Sequence, residues 1–310
     1  MCCTLPEAEW QREREVIFAE MAMVDDTPEE WIMDQHVAAL FPDHVLGRPV
    51  LGNHDALNGL NADDLRNYLH RHYSAGRLLI TAAGHIDHSQ LVDAVAALDW
   101  QHDSDRGIHR QPPAALAHGV QALTRDGEQA QMIVSFPGIR ADAGERAQAW
   151  LANQLLGGGM SSRLFREVRE KRGLAYSIGS HLSMLSDTGI WSMTCGMEPS
   201  RAVDCVTIMQ DVLGSFAGSM DHAEATRAKR QLEVQFRMGL DSVEGQMLYL
   251  GGRLDEQSLL SPLQWLARIS AVDVAVLTDW SETHLTQAGL WSIAAPEQAL
   301  DKISDRIRIC

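Results

Sequence analysis

The stretch 155–180, LLGGGMSSRLFREVREKRGLAYSIGS, limits the fold more than any other part of this chain. Gly157, Gly158 and Gly159 end an apolar helical run, because glycine alone reaches left-handed backbone angles without steric cost. A helix then restarts. Ser161 or Ser162 is placed to cap it, and the charged run from Arg163 through Arg166, Glu167, Arg169, Glu170, Lys171 and Arg172 interleaves with Leu164, Phe165 and Val168 at helical spacing. Gly173 stops that helix, and 174–183 alternates small and apolar residues as a strand does, which sets Tyr176 where helix gives way to sheet. The glycines are not a phosphate loop, since they follow a helix and lack the G-K-[ST] ending. No G-x-S-x-G surrounds the serines, so a serine hydrolase finds no support.

A chain of 310 residues with 45% hydrophobic content has room for two packed domains. Its net charge of -16 argues against nucleic acid as a partner, because that affinity rests on Lys and Arg meeting phosphates. Five cysteines, Cys2, Cys3, Cys195, Cys205 and Cys310, show no C-x-x-C spacing, so neither a zinc cage nor a disulfide framework is indicated and a reducing, cytoplasmic setting is expected. No segment is apolar enough to span a bilayer, so no membrane association is expected.

In chain order, Thr4 and Glu7 read as a capping box that opens a helix. Its apolar stripe, Trp10, Ile17, Met21 and Val24, also collects Glu13 and Glu20, which would turn two carboxylates inward. Buried charge needs a metal or a partner, and a nearby arginine would serve as well. A second helix is expected over 29–41, a Gly- and Pro-rich loop after Pro42, a helix capped by Asn61, a buried strand over 77–83 and a helix over 88–98 with Leu91, Val92, Val95 and Leu98 inward. His85 with His88, and His70 with His72, read as surface residues. The polar segment around Pro112 and Pro113 reads as a linker. Strands over 121–125 and 129–136, a helix over 145–156, a hairpin of 176–184 with 189–195, helices over 202–216 and 222–240, shorter helices near Leu254, Leu266 and His284, and a strand over 290–294 complete the pattern.

The runs GGGMSSRLF, REKRGLAYS, EWQREREVIFAEM and LGRPVLG resemble the pitrilysin/insulinase-type zinc metallopeptidases, the class that includes the mitochondrial processing peptidases. The resemblance implies an α+β fold of duplicated α/β sandwich domains. It places the second half of a first, zinc-site domain at 1–100, a linker at 101–119 and a complete second, non-zinc domain at 120–310. It implies substrate and transition-state contacts for Arg169 and Tyr176, the third zinc ligand for Glu20 and a supporting acidic role for Glu13. The alternative for the first pair is an arginine bound to a neighbouring carboxylate and a half-buried packing tyrosine.

The family's other two ligands and its general base come from H-x-x-E-H, which this sequence lacks. The resemblance places that motif in a strand-rich half preceding the helix at Thr4. A fragment, one half of a split enzyme, and a natural subunit without the motif are all open origins. The function implied is a portion of a zinc-dependent endopeptidase acting on peptides or unfolded segments, inactive alone. The alternative is a non-catalytic subunit that binds peptides and completes the chamber of an active chain. A second chain carrying H-x-x-E-H, or self-association through uncovered apolar faces, is the expected partner.

Overall fold

The computed structural model describes residues 4–98, 115–252, 260–304 and 306–307. Its helices are α1 (Glu7–Asp26), α2 (Pro28–Leu40), α3 (His54–Asn58), α4 (Ala62–His72), α5 (His88–Ala96), α6 (Arg146–Leu156), α7 (Ala202–Phe216), α8 (His222–Gly239), α9 (Val243–Gly251), α10 (Pro262–Ala271), α11 (Val274–Leu285) and α12 (Glu297–Ser304). Its strands are β1 (Gly119–Thr124), β2 (Ala130–Pro137), β3 (Ala175–Met184), β4 (Gly189–Met197) and β5 (Leu290–Ala295). The fold is α+β. By contacts the chain forms two compact units, one of 1–26, 49–111 and 237–254, the other of 27–48, 112–236 and 255–310. The expected linker at 101–119 lies mostly outside the described residues, as does Leu254.

The second unit is built on one sheet in the order β1-β5-β2-β4-β3, with β1 parallel to β5 and the other pairs antiparallel. Side chains alternate between sheet faces with a period of two. Met132, Val134 and Phe136, with Trp191, Met193, Trp291 and Ile293, enter the main core, where Trp191 lies 5.4 Å from Trp280 and 6.3 Å from Phe216 between ring centroids. The intervening residues meet α2: Ile133 and Ala294 pack on Ile32, and Ile190 and Leu290 pack on Leu40 and Phe41. Both faces of β2 are therefore covered, and the strand is buried along nearly its whole length, Gln131 and Ser135 included. Cys195 on β4 and Cys205 on α7 are buried free thiols with Sγ atoms 3.3 Å apart. Their mutual hydrogen bond, followed by burial, pushes the Cys195 thiol well above its ordinary pKa.

The first unit is different in kind. Trp10, Met21 and Ala62 are its buried apolar side chains among the described residues. Trp10 Nε1 donates to Leu60 O at 3.0 Å, and Arg66 binds the carbonyl of Leu5, so α1 and α4 are held largely by polar contacts. Asn61 and Asp64 form the expected reciprocal cap of α4. Glu7 does not close a box with Thr4. Its carboxylate accepts from Ala62 N at 2.9 Å and is held below the usual range chiefly by that bond. Two further expectations are corrected here. The run 77–83 forms no strand, and Leu78, Leu79 and Ile80 are 50%, 44% and 43% exposed. No residue of α5 is buried. In both cases the pattern of apolar residues is present and the surface that would cover it is not among the described residues.

Candidate functional site

Gly157 lets α6 end directly against β3. A Cβ there would fall 2.5 Å from Ser180 N, so the position admits no side chain unless the strand moves. The contact is used: Ser180 N donates to Gly157 O at 3.1 Å, Ser180 Oγ to Asn153 Oδ1 at 2.7 Å, and Trp191 Nε1 to the same oxygen at 3.0 Å. Neither Ser161 nor Ser162 caps the following helix. Ser161 Oγ turns to Gln231 Oε1, and Ser162 Oγ is buried without a hydrogen bond among the described residues.

The helix after the glycines widens into a π turn, Phe165–Glu170, marked by Lys171 N donating to Arg166 O at 2.9 Å. Such turns are uncommon and gather at functional sites. Leu164 and Val168 anchor it in the core, and Gly173, at φ +60°, terminates it with Leu174 N bonded to Val168 O. Its cations have divided roles. Arg163 is a fastener, forming a partly buried pair with Glu224 at 2.6 Å and bonding Phe216 O at 3.0 Å. Lys171 and Arg172 hold Glu167, and their hydrogen bonds keep its carboxyl below the usual range. Arg169 is exposed, with its guanidinium carbon 5.0 Å from the Phe165 ring centre and no carboxylate partner among the described residues.

Tyr176 lies at a second irregularity. Ala175 pairs with Met197 and Ser177 with Gly196, so Tyr176 is the extra residue of a β-bulge in β3. A bulge re-aims a side chain, and Tyr176 is 57% exposed. The π turn and β3 are packed neighbours, so Arg169 and Tyr176 project from two adjoining backbone distortions. Neither distortion has a signal in the sequence, where the run reads as plain helix and strand.

Glu13 and Glu20 are placed otherwise than expected. Each residue of α1 turns the helix by ~100°, which leaves the pair on one face at the flank of the Trp10 and Met21 side. Both are exposed, with no hydrogen bond or ion pair to a described residue, so no carboxylate is turned inward on this helix. Among the described residues no three His, Cys, Asp or Glu side chains converge. A hydrolytic zinc needs three protein ligands and an open position, so the described residues by themselves do not fit a zinc ion. His70, His72, His85 and His88 are exposed.

One buried histidine has no signal in the sequence. His36 on α2 is 1% exposed, with Nδ1 2.8 Å from Ser292 Oγ and Nε2 2.7 Å from Ser135 Oγ. Burial lowers its pKa to about 4. The pair resembles a nucleophile and base, but both serines are buried, so it serves to bind α2 to the sheet.

No helix among the described residues is long and apolar enough to cross a membrane. The family described as Peptidase M16 inactive domain matches residues 59–232. A Streptomyces coelicolor protein described as an uncharacterized zinc protease is 36% identical over 270 residues, covering 84% of this chain and 59% of that protein. A peptidase M16 inactive domain from Pseudomonas fluorescens superposes with a TM-score of 0.85 at 21% identity, covering 94% of this chain and 71% of that one. A chain of the Candida albicans complex III2 gives 0.83 at 18%, covering 95% and 74%. These solved structures show the fold alone. The chain spans about three fifths of the length of the curated relatives it matches.

Proposed function

Because the chain belongs to the M16 peptidase family, we propose that it is the substrate-contacting portion of a zinc-dependent metalloendopeptidase acting on peptides or unfolded segments. The observation that carries this reading is the exposure of Arg169 and Tyr176 on a π turn and an adjoining bulge, with Arg169 free of carboxylates among the described residues. A tyrosine hydroxyl there donates to a substrate carbonyl oxygen as negative charge gathers on it, and a guanidinium with open donors donates to the carbonyls of an extended backbone. Both residues act by orienting the peptide. Glu20 is one ligand and Glu13 its acidic support only where the H-x-x-E-H half is supplied, and catalysis is assigned to that completed site alone.

The decisive experiment measures zinc content and peptide cleavage of the pure chain, alone and mixed with a polypeptide carrying the H-x-x-E-H half. Zinc and cleavage are expected only in the mixture, and Tyr176→Phe should lower kcat there by roughly 10²–10³ with the complex intact. Chelator-sensitive cleavage by the pure chain would overturn the dependence on a second half. A second reading, a non-catalytic subunit that binds peptides within a larger assembly, is favoured by the lack of three converging ligands among the described residues. A stable mixture that binds peptide but stays metal-free and silent selects it.

A further inference from the structure

Ten residues separate Cys195 from Cys205, a spacing that marks no motif, yet the fold brings their sulfurs to 3.3 Å. Two periodicities meet here. On β4 the face made by Trp191, Met193, Cys195 and Met197 enters the main core, and on α7 a stripe of Ala202, Cys205, Val206 and Met209 at helical spacing enters the same core. Between strand and helix the chain has Glu198 and one 3-10 turn, Pro199–Arg201, so the first turn of α7 is tethered at short range to the end of β4. Both thiols are free, and they are 2% and 0% exposed. Free cysteine in a core is ordinarily a small apolar filler, and one such residue would need no further account. Two in mutual contact are different. Bonded sulfurs lie ~2.0 Å apart, so closure asks this pair to approach by about 1.3 Å. Rotation about the two Cα–Cβ bonds moves the sulfurs on that scale and leaves the backbone hydrogen bonds of β4 and α7 in place.

Enclosure decides which oxidant serves and which product forms. A disulfide the size of oxidised glutathione does not reach sulfurs this deeply covered, whereas hydrogen peroxide is little larger than water. The thiolate of one cysteine attacks a peroxide oxygen and takes up its hydroxyl as a sulfenic acid, and the other oxygen leaves as water with the thiol proton. The second sulfur then displaces hydroxide from the sulfenic sulfur, and its own proton joins that hydroxide as a second water. Two thiols are thereby oxidised to one disulfide while one peroxide is reduced to two waters. A solitary sulfenic acid is open to further oxidation to the irreversible sulfinic acid, but here the partner sulfur is already in contact and burial excludes competing thiols. The mutual hydrogen bond and the burial that raise the Cys195 pKa keep thiolate scarce at neutral pH, so closure is slow and sustained oxidant is needed to drive it.

We propose that Cys195 and Cys205 form a dithiol couple that a peroxide-class oxidant closes into a disulfide, stapling the first turn of α7 to β4. Cys195 stands opposite Ile178 of β3 in the sheet register, two residues beyond Tyr176, and α7 packs against the π turn that carries Arg169. The staple therefore stiffens the frame beneath both side chains and touches neither. The couple does not depend on the peptidase reading, since both sulfurs and the elements that carry them lie within the sheet unit.

The test uses the full chain and a second full chain in which Cys2, Cys3 and Cys310, which lie outside the described residues, are replaced by serine. Each is incubated in native buffer with hydrogen peroxide, cleared of it with catalase, denatured, alkylated and mapped by peptide mass. Sulfoxide at Met160, 78% exposed, reports that the oxidant has acted. A peptide pair joined through Cys195 and Cys205, lighter by two hydrogens and released by dithiothreitol, should dominate in both chains with the far-UV circular dichroism unchanged. The thermal midpoint should exceed that of the same sample after dithiothreitol by several degrees, because a cross-link restricts the unfolded chain and methionine sulfoxide survives that reductant. Cys205→Ser should lose both the link and the dithiothreitol-dependent rise, and its Cys195 should pass to the sulfinic acid instead. Two thiols still open to alkylation once Met160 is fully oxidised, sulfinic acid without a link in the natural chain, or a linked form that melts below the reduced one would each overturn the proposal. All three outcomes are read without Cys205→Ser, so they hold even where that variant does not fold.

Discussion

His36 ends a chain of polar side chains whose proton positions follow from its far end. Ser292 Oγ donates to Gln121 Oε1 at 2.7 Å, so it accepts from His36 Nδ1, leaving Nε2 to accept from Ser135, which lies 2.7 Å from Ser192 Oγ. The ring is neutral, and burial depresses its pKa from 6.5 to about 4. Below pH 6.5 the unfolded chain binds a proton that the folded chain refuses, so the stabilisation present above that pH is lost as pH falls towards 4. The loss is about 1.4 kcal/mol per pH unit and about 3 kcal/mol in all. Denaturant titrations at pH 7.5 and 4.5 should show this loss in the natural chain and a smaller one in His36→Gln. Equal losses would remove the histidine from the account. Nothing in the sequence singled out His36, because its partners are 99 and 256 residues away.

At the scale of elements, periodicity gave the type of nearly every segment in the sheet unit, and α7 has the expected bounds of Ala202–Phe216. What it could not give were the π turn and the bulge, which are departures from the periods used to find them. It also could not give the reason for Gly157. That glycine was read for its backbone freedom, yet its φ is -150°, and close approach of β3 is what excludes a side chain. Gly173 is the converse, at φ +60° with open space around its Cβ position. The two therefore separate sterics from backbone strain. Gly157→Ala should cost on the order of 1–3 kcal/mol through displacement of β3. It should also perturb the Asn153, Ser180 and Trp191 hydrogen bonds, visible as a shift in Trp191 fluorescence. Gly173→Ala should cost about 1–2 kcal/mol with the tryptophan signal unmoved. Matching spectra for the two variants would refute the close-contact explanation.

For the whole molecule, the apolar pattern marks which surfaces are to be covered but says nothing about what covers them. The same kind of run is a buried central strand in β2 and an open edge at 77–83, because β2 lies between β4 and β5 beneath α2 while 77–83 has no strand beside it among the described residues. Chain order is an equally poor guide to compactness, since 27–48 belongs with the sheet although 1–26 does not. Local opening is set by buried apolar contact, so the two units should differ sharply in opening free energy. Limited proteolysis in native buffer should cut first within 49–98 and near Leu78, Leu79 and Ile80, leaving the β1 to β5 sheet intact at times when the first unit is already nicked. Cleavage that starts in the sheet unit, or at equal rates in both, would mean that the first unit is stabilised by something other than buried apolar area, and the argument from its three buried side chains would fall.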